Sequence, residues 1–182
     1  MEKIREGVLT LRWVIIALVV VALLSVSGVT TVSLDGKRRI AKQVAFEWGE
    51  KVKRYSSQYM LSPQFVVAMI CQESAGDPNA QNSADPSRGL MQLTPGVVNE
   101  YIAEVGNRIF PPDGGAYIVS WDTVYVPAVN LTIGIWYLNK KLREHGTLDR
   151  AIVAYNGSGL MAELHWQRVK LYVEIIEQEK LI

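Results

Sequence analysis

An unbroken hydrophobic stretch near the start of the chain is the strongest pattern in the sequence. From Trp13 to Leu34 there are 22 consecutive residues without a charged side chain, and residues 13–24 (WVIIALVVVALL) are all apolar. A helix of this length extends ~33 Å, about the thickness of the hydrocarbon core of a bilayer. The stretch therefore predicts one N-terminal transmembrane helix within residues 1–34.

Two other interpretations of residues 1–34 stay open. A basic start, a twelve-residue apolar run and the small residues SVS at 25–27 are also typical of a signal peptide that is cleaved on secretion. The third interpretation is a helix buried in the protein core, although the run lacks amphipathic spacing. We favour the membrane anchor because residues 29–34 continue the uncharged stretch beyond the SVS segment.

After this stretch, apolar residues recur at the spacing of an α-helix. Intervals of three and four residues predict an amphipathic helix that contains Ile40, Val44, Trp48, Val52 and Tyr55. Ser62 followed by Pro63 is typical of a helix N-terminus. These two residues predict a second, mostly apolar helix over 65–74, which Gly76 and Pro78 end.

Caps, prolines and glycines predict four more helices in the rest of the chain. A short one begins at Thr94-Pro95, and the other three run from Pro127 to about Glu144, from Thr147 to Asn156, and from about Met161 to Glu179. The irregular segment 107–126 has a Pro-Pro-Asp-Gly-Gly centre that could support a small β-hairpin. The sequence therefore predicts a mainly α domain over residues 35–182 with at most a minor β element.

Composition and charge exclude several classes of protein. The chain has 182 residues, of which 49% are apolar and 20% charged, which excludes global disorder and low-complexity repeats. Three of its 19 basic and two of its 18 acidic residues lie in residues 1–34, so the remaining domain carries 16 of each sign. Nucleic-acid-binding proteins usually show a clustered basic excess, so we expect no nucleic acid partner.

Cysteine and histidine are too sparse for a metal site. Cys71 is the one cysteine, which excludes an internal disulfide and a multi-cysteine metal site. The two histidines, His145 and His165, are twenty residues apart, so no HExxH motif or Cys/His cluster is present, and we expect both to be surface or packing residues. We therefore expect no metal and no cofactor, and we interpret Cys71, within an apolar run, as a buried and inert thiol.

Glu73 is the acidic residue whose position favours acid–base chemistry. It follows Val66, Val67, Met69 and Ile70 and lies in the last turn of the predicted helix. The negative end of the helix dipole disfavours an anion there, and apolar neighbours desolvate it, so both effects keep a carboxyl group protonated. A general acid requires that state. A salt bridge or simple exposure at the helix end is the alternative that position alone leaves open.

Four sequence motifs together carry a resemblance to a known family. They are ICQES at 70–74, GLMQLTP at 89–95, PAVNLTIGIWYL at 127–138 and AYNG at 154–157. In this order and spacing they resemble the lytic transglycosylases of the soluble-type, goose-lysozyme-like family, and the resemblance runs from about Val44 to about Val173. It implies a lysozyme-like, largely helical lobe with a cleft for a glycan strand.

The resemblance assigns roles to seven residues. Glu73 matches the catalytic acid/base of the family. The other six match residues that line or shape the sugar cleft: Ser74 beside the acid, Gly89 and Leu90 in the turn that presents Gln92, and the sugar-contacting pair Tyr155 and Asn156. Asn130 and Gly134 match the helix of the third motif.

The family resemblance also implies a reaction and a substrate. Glu73 would protonate the oxygen between N-acetylmuramic acid and N-acetylglucosamine in peptidoglycan, and would then deprotonate the 6-hydroxyl of the muramic acid. The product would be a 1,6-anhydromuramic end, formed without water. The expected partners are glycan strands, the bilayer around the N-terminal helix, and a secretion, conjugation or phage virion assembly. The domain would face the cell wall, either anchored or, after signal cleavage, secreted.

Two functional alternatives stay open at this point. A hydrolytic muramidase of the same fold would need an aspartate that activates water, for which Asp77 and Asp85 are the candidates. A non-catalytic component that binds or assembles the wall is the alternative of another class.

Overall fold

Six α-helices and one small β-hairpin make up residues 32–182, the part of the chain that the structure, a computed structural model, describes. The helices are α1 (Leu34–Ser57), α2 (Pro63–Ser74), α3 (Pro95–Glu104), α4 (Pro127–His145), α5 (Leu148–Tyr155) and α6 (Leu160–Gln178). Strand β1 (Arg108–Ile109) pairs antiparallel with β2 (Tyr117–Ile118), and a 3-10 helix (Thr123–Tyr125) precedes α4. The prediction of a mainly α domain with a minor hairpin is confirmed.

The predicted leader, residues 1–34, lies almost entirely outside the described residues. The transmembrane helix, the signal peptide and the buried helix therefore all stay predictions. Within residues 32–182, none of the helices combines the length and the hydrophobicity that a membrane crossing requires.

Helix ends follow the residue types that the sequence places there, with one exception. The hydroxyl oxygens of Thr94 and Thr147 accept hydrogen bonds from backbone N–H groups in the first turns of α3 and α5, and Gly146 ends α4 with φ +77°. Ser62 occupies the expected position before α2 but does not cap it. Its hydroxyl donates instead to Oε1 of Gln64, at 2.6 Å.

Helix α2 is the central element of the hydrophobic core. Residues 66–71 are all buried, with at most 3% of their surface exposed, and the helix packs against both α1 and α6. Each fully buried Ile or Met side chain stabilises the fold by ~1.5–3 kcal/mol. Cys71 belongs to this core, and burial raises the pKa of its thiol to about 12, as expected for an inert thiol. Glu73 lies two residues further along the same helix, so the buried core holds the backbone next to it.

An acidic side chain in the hairpin ties the β element to α1. Asp113 accepts a hydrogen bond from the Tyr55 hydroxyl at 2.5 Å and forms an ion pair with Lys51 at 2.6 Å. Partial burial opposes the charge of Asp113, but the bonds from Lys51 and Tyr55 outweigh it and lower the pKa of the carboxyl group. The segment that the sequence predicts to be irregular is therefore held by a specific charged contact.

Candidate active site

The carboxyl group of Glu73 lies near the end of α2, where the chain turns away from the helix. Ala75 and Gly76 follow with φ of +52° and +90°, and the indole N–H of Trp48 donates to the Gly76 carbonyl at 3.0 Å. A Cβ at position 76 would lie 2.9 Å from Val44, so glycine is required there. This turn leaves the Glu73 side chain only 10% exposed.

Two nitrogen atoms from other helices lie next to the same oxygen of Glu73. Nδ2 of Asn156, the residue that follows α5, donates to Oε1 at 3.3 Å, and Nε2 of His165, on α6, lies 3.2 Å from Oε1. The His165 contact has the distance of an ion pair but lacks hydrogen-bond alignment, and Nε2 is buried with no other partner. Within residues 32–182, Oε2 of Glu73 has no hydrogen-bond partner.

Asn130 is the buried polar residue that shapes the loop opposite Glu73. It is fully buried on α4, where its Nδ2 donates to the carbonyl oxygens of Arg88 and Val124, and its Oδ1 accepts from the Met91 N–H at 2.8 Å. Gly89 packs directly on this amide: its φ is +77°, and a Cβ would lie 2.2 Å from Nδ2 of Asn130. The asparagine thus holds the turn through hydrogen bonds to its backbone groups at Arg88 and Met91.

Gly134, the second residue of the α4 motif, makes room for the same loop. A Cβ at position 134 would lie 2.4 Å from Sδ and 2.9 Å from Cβ of Met91. Met91 and Leu90 are fully buried, so both anchor the loop in the core. Leu90 therefore contributes no side chain to the cleft, and its role, like that of Gly89, is to shape the turn.

Gln92, at the end of this turn, has an uncommon backbone conformation, and both polar groups of its side chain are hydrogen-bonded. Its φ is +46°, uncommon for a residue with a Cβ. The amide nitrogen donates to the carbonyl oxygens of Gly89 and Ala80, and the amide oxygen accepts from the Ser87 hydroxyl at 2.9 Å. The side chain lines the cleft and at the same time braces its rim.

Tyr155 joins the end of α5 to the loop. Its hydroxyl donates to the Met91 carbonyl at 2.9 Å, and its ring packs edge-on against Tyr137 with the centroids 5.2 Å apart. Burial, and next to it the proximity of the acidic groups of Glu73 and Tyr137, raises the pKa of Tyr155 well above its ordinary value. The hydroxyl therefore stays a hydrogen-bond donor over the whole physiological range.

Ser74 makes only backbone contacts. Its hydroxyl donates to the Leu90 carbonyl at 2.9 Å, with the Ile70 carbonyl at 3.2 Å, and accepts from the N–H of Gly76. The residue links the end of α2 to the turn, so the structure places it beside Glu73 as a brace.

These groups border a polar cavity of about 330 Å³. Every residue that lines it has a polar side chain: Gln72, Glu73, Asn82, Asp85, Ser87, Gln92, Thr94, Tyr155, Asn156 and His165. Hydroxyl, amide and carboxyl groups of this kind match the donors and acceptors of a sugar. Four of the seven predicted site residues line the cavity: Glu73, Gln92, Tyr155 and Asn156. The other three, Ser74, Gly89 and Leu90, do not line it and stabilise the turn next to it.

Comparison with known proteins identifies the family. A sequence model of the Transglycosylase SLT domain matches residues 50–173, more than half of the chain. The chain belongs to this family. The resemblance found in its motifs is thereby confirmed.

Relatives of this SLT domain are much longer proteins. The protein named Transglycosylase from Enterobacteria phage PRD1 is 26% identical over 113 residues, which are 62% of this chain and 36% of the relative. The chain thus spans about a third of the length of this curated relative.

Solved structures with the SLT fold include three at low identity. The lytic transglycosylase Slt of Pseudomonas aeruginosa, an inactive mutant in which glutamine replaces a glutamate, has a TM-score of 0.59 at 21% identity, over 71% of this chain and 24% of its own. The 70-kDa soluble lytic transglycosylase of Escherichia coli scores 0.52 at 20% identity, over 74% and 21%. A complex of the 70-kDa enzyme with bulgecin A scores 0.54 at 19% identity, over 78% and 23%. These identities establish the shared fold alone.

One residue of the SLT cavity is absent from the predicted site, although the sequence contains a signal for it. From the sequence alone we expect His165 to be a surface or packing residue. It lies on α6 between Ala162 and Val169 and beside Trp166, in a stripe of buried positions at intervals of three and four. That spacing predicts an inward side chain, but only the packing of α6 on α2 determines which group it meets.

The described residues also enclose a larger cavity, of about 550 Å³, along α5 and α6. Glu163, Trp166 and Lys170 help to line it, and none of the seven predicted site residues does. We assign the site to the smaller cavity because that one contains the shielded carboxyl group of Glu73.

Proposed function

We propose that this SLT domain is a peptidoglycan lytic transglycosylase that cleaves the β-1,4 bond between N-acetylmuramic acid and N-acetylglucosamine. The observation that carries the proposal is the state of Glu73. One carboxyl oxygen faces two nitrogen atoms, the other has no hydrogen-bond partner within residues 32–182, and the side chain is 10% exposed in a polar cavity. A shielded carboxyl with one free oxygen suits a general acid.

The names of the relatives support this substrate class. The phage relative is called a transglycosylase, and the structural neighbours are lytic transglycosylases. The Pseudomonas mutant described as inactive has lost a glutamate to glutamine, and another neighbour binds bulgecin A. Each fact belongs to the neighbour concerned, and together they favour carboxyl chemistry on a glycan.

The proposed reaction needs one carboxyl group in two successive states. The protonated Oε2 of Glu73 gives its proton to the glycosidic oxygen while the bond from that oxygen to C1 of the muramic acid breaks. The N-acetyl group of the muramic acid stabilises the cation at C1. The Glu73 carboxylate then removes the proton of the 6-hydroxyl, whose oxygen bonds to C1 and closes the 1,6-anhydro ring. The attacking hydroxyl belongs to the same sugar, so its effective concentration is high and no water is consumed.

Hydrolysis by the same acid is the competing outcome, and the two aspartates differ in their fitness for it. Asp77 accepts from the N–H of Asn79 at 2.8 Å in an exposed turn and does not line the cavity. Asp85 does line the cavity, but its two oxygens accept from the Ser87 N–H and from Nδ2 of Asn82. Each oxygen of Asp85 already accepts a hydrogen bond within the loop, which makes this carboxylate less available as a base for water.

Mass spectrometry of the fragments released from purified peptidoglycan tests the proposal. We expect 1,6-anhydromuramic ends from the wild type and from Asp85→Asn, and none from Glu73→Gln. Glu174→Gln is the matched control because Glu174 is an exposed carboxyl on α6, outside the cavity. Reducing muramic ends that disappear in Asp85→Asn would indicate a hydrolase. Wall binding without any cleavage would indicate the non-catalytic alternative.

We also propose that residues 1–34 hold the domain at a membrane, facing the cell wall. The uncharged stretch supports this, and a relative encoded by a phage fits a role in an envelope-crossing assembly. Membrane fractionation of cells that express the full chain, followed by the mass of the mature protein, tests it. A soluble product shortened near residue 27 would show a cleaved signal peptide instead.

A further inference from the structure

We propose that His165 is a positioning residue of the SLT active site, which donates a hydrogen bond from Nε2 to Oε1 of Glu73 and thereby directs the reacting proton to Oε2. The proposal rests on the proposed function, because it concerns the same carboxyl group. It adds a residue that the sequence motifs do not contain.

Within residues 32–182, Nε2 of His165 has no hydrogen-bond partner that competes with Glu73. The side chain is 13% exposed, and Ala162, Trp166 and Val169 around it on α6 are buried. A buried ring nitrogen normally finds a backbone or side-chain partner. Nε2 of His165 is buried without one, and the nearest charged group is Oε1 of Glu73 at 3.2 Å.

The contact of Asn156 Nδ2 with Oε1 helps to determine which oxygen of Glu73 carries the proton. Asn156 can only donate through Nδ2, so Oε1 already acts as an acceptor at 3.3 Å. In a protonated carboxyl group the carbonyl oxygen is the better acceptor and the hydroxyl oxygen carries the proton. If His165 donates as well, Oε1 becomes the carbonyl oxygen, and the proton lies on the unpartnered Oε2.

The opposite tautomer of His165 would give an unproductive arrangement. With Nε2 as acceptor, the proton of Glu73 would lie on Oε1 and point at the imidazole instead of the substrate. Catalytic hydrogen bonds are often long or poorly aligned until substrate binds, and the contact between His165 and Glu73, at 3.2 Å without alignment, fits that description. We therefore infer that the Nε2–H form is the working form.

Three variants test this positioning role with a soluble oligosaccharide of alternating N-acetylglucosamine and N-acetylmuramic acid as substrate. His165→Phe keeps a ring but removes the donor, and we expect kcat to fall about 10-fold with little change in KM. His165→Gln keeps a hydrogen-bond donor at the end of a shorter side chain, so we expect kcat to be largely restored. His145→Gln is the control, because His145 is exposed and lies outside this cavity.

Two results with these variants would overturn the positioning role of His165. A wild-type kcat in His165→Phe would overturn the proposal. Equal losses in the Phe and Gln variants would also overturn it, since they would show that a hydrogen-bond donor at this position does not restore kcat. If the wild type itself cleaves nothing, the proposed function fails, and a measurement without turnover then decides about His165.

That measurement is nitrogen NMR of the two labelled histidines at alkaline pH, where an imidazole ring is neutral. We expect the His165 proton on Nε2 in the wild type and a mixture of tautomers in Glu73→Ala, with no change at His145. A tautomer population of His165 that ignores the loss of Glu73 would overturn the positioning role, whatever the enzyme does.

Discussion

The amide of Asn130 occupies the space that a side chain at Gly89 would need. A Cβ at position 89 would lie 2.2 Å from Nδ2 and 2.9 Å from Cγ of the asparagine. This contact lets one buried amide hold the carbonyl oxygens of Arg88 and Val124 and the N–H of Met91. The cleft wall opposite Glu73 is therefore built on a residue that is itself fully buried.

Gly89→Ala tests this contact. The methyl group would clash with Asn130, and the φ of +77° adds the cost of left-handed backbone, so we expect a loss of at least ~3 kcal/mol in the free energy of unfolding. Urea denaturation measures it. Gly114→Ala is the control, because Gly114 has φ +89° but a Cβ there would meet no atom within 4 Å, so it should lose only ~1 kcal/mol. Equal losses would show that backbone strain alone explains the effect.

Tyr155→Phe removes the hydroxyl that bonds the Met91 carbonyl at 2.9 Å. The ring can still pack against Tyr137, so we expect a loss of ~1–2 kcal/mol in stability and a lower kcat, because the loop loses its tie to α5. Thermal unfolding and product analysis measure the two effects. Tyr117→Phe, in the hairpin, is the comparison that should leave kcat unchanged. Full activity in Tyr155→Phe would contradict a positioning role for the hydroxyl.

Asp113→Asn should weaken the tie between the hairpin and α1 in a pH-dependent way. The pKa of Asp113 is lowered in the folded state, so its stabilising effect is present above pH ~4, the ordinary range of an aspartate, and is lost as the pH falls through the folded pKa. We expect the variant to be ~1–3 kcal/mol less stable at pH 7.

The difference between wild type and Asp113→Asn should shrink on acidification toward pH 2, which denaturant titrations at several pH values can follow. Asp122→Asn provides the control, since Asp122 is exposed and makes no cap hydrogen bond. A stability gap that stays constant with pH would mean that the contact does not depend on the charge of Asp113.

Glu73→Gln should abolish turnover while leaving the fold intact. The amide has nearly the shape of the carboxyl group but cannot transfer a proton, so we expect kcat to fall by ~10²–10⁴-fold or more. The free energy of unfolding should change by less than ~1 kcal/mol, because the carboxyl has only two polar contacts to lose. A variant that is both folded and active would remove Glu73 from the mechanism.

Local signals in the sequence were sufficient for most of the helices. The spacing from Ile40 to Tyr55, the proline at position 63 and the caps at Thr94 and Thr147 act within a few residues of chain, and α1, α2, α3 and α5 follow them. Ser62 differs because its hydroxyl donates to the side chain of Gln64 at 2.6 Å. The preference of serine for the N-cap position does not predict this competing hydrogen bond.

The sequence by itself determined the helical class of the domain, its family and the carboxyl group at its centre, because helix periodicity, capping and motif spacing are properties of neighbouring residues. Only the tertiary structure decided which polar atoms meet at that carboxyl group. His165 reaches Glu73, and Asn130 reaches Gly89, because α6 packs on α2 and α4 lies behind the loop. Contacts between residues so distant in sequence depend on how whole helices pack, which no local pattern encodes.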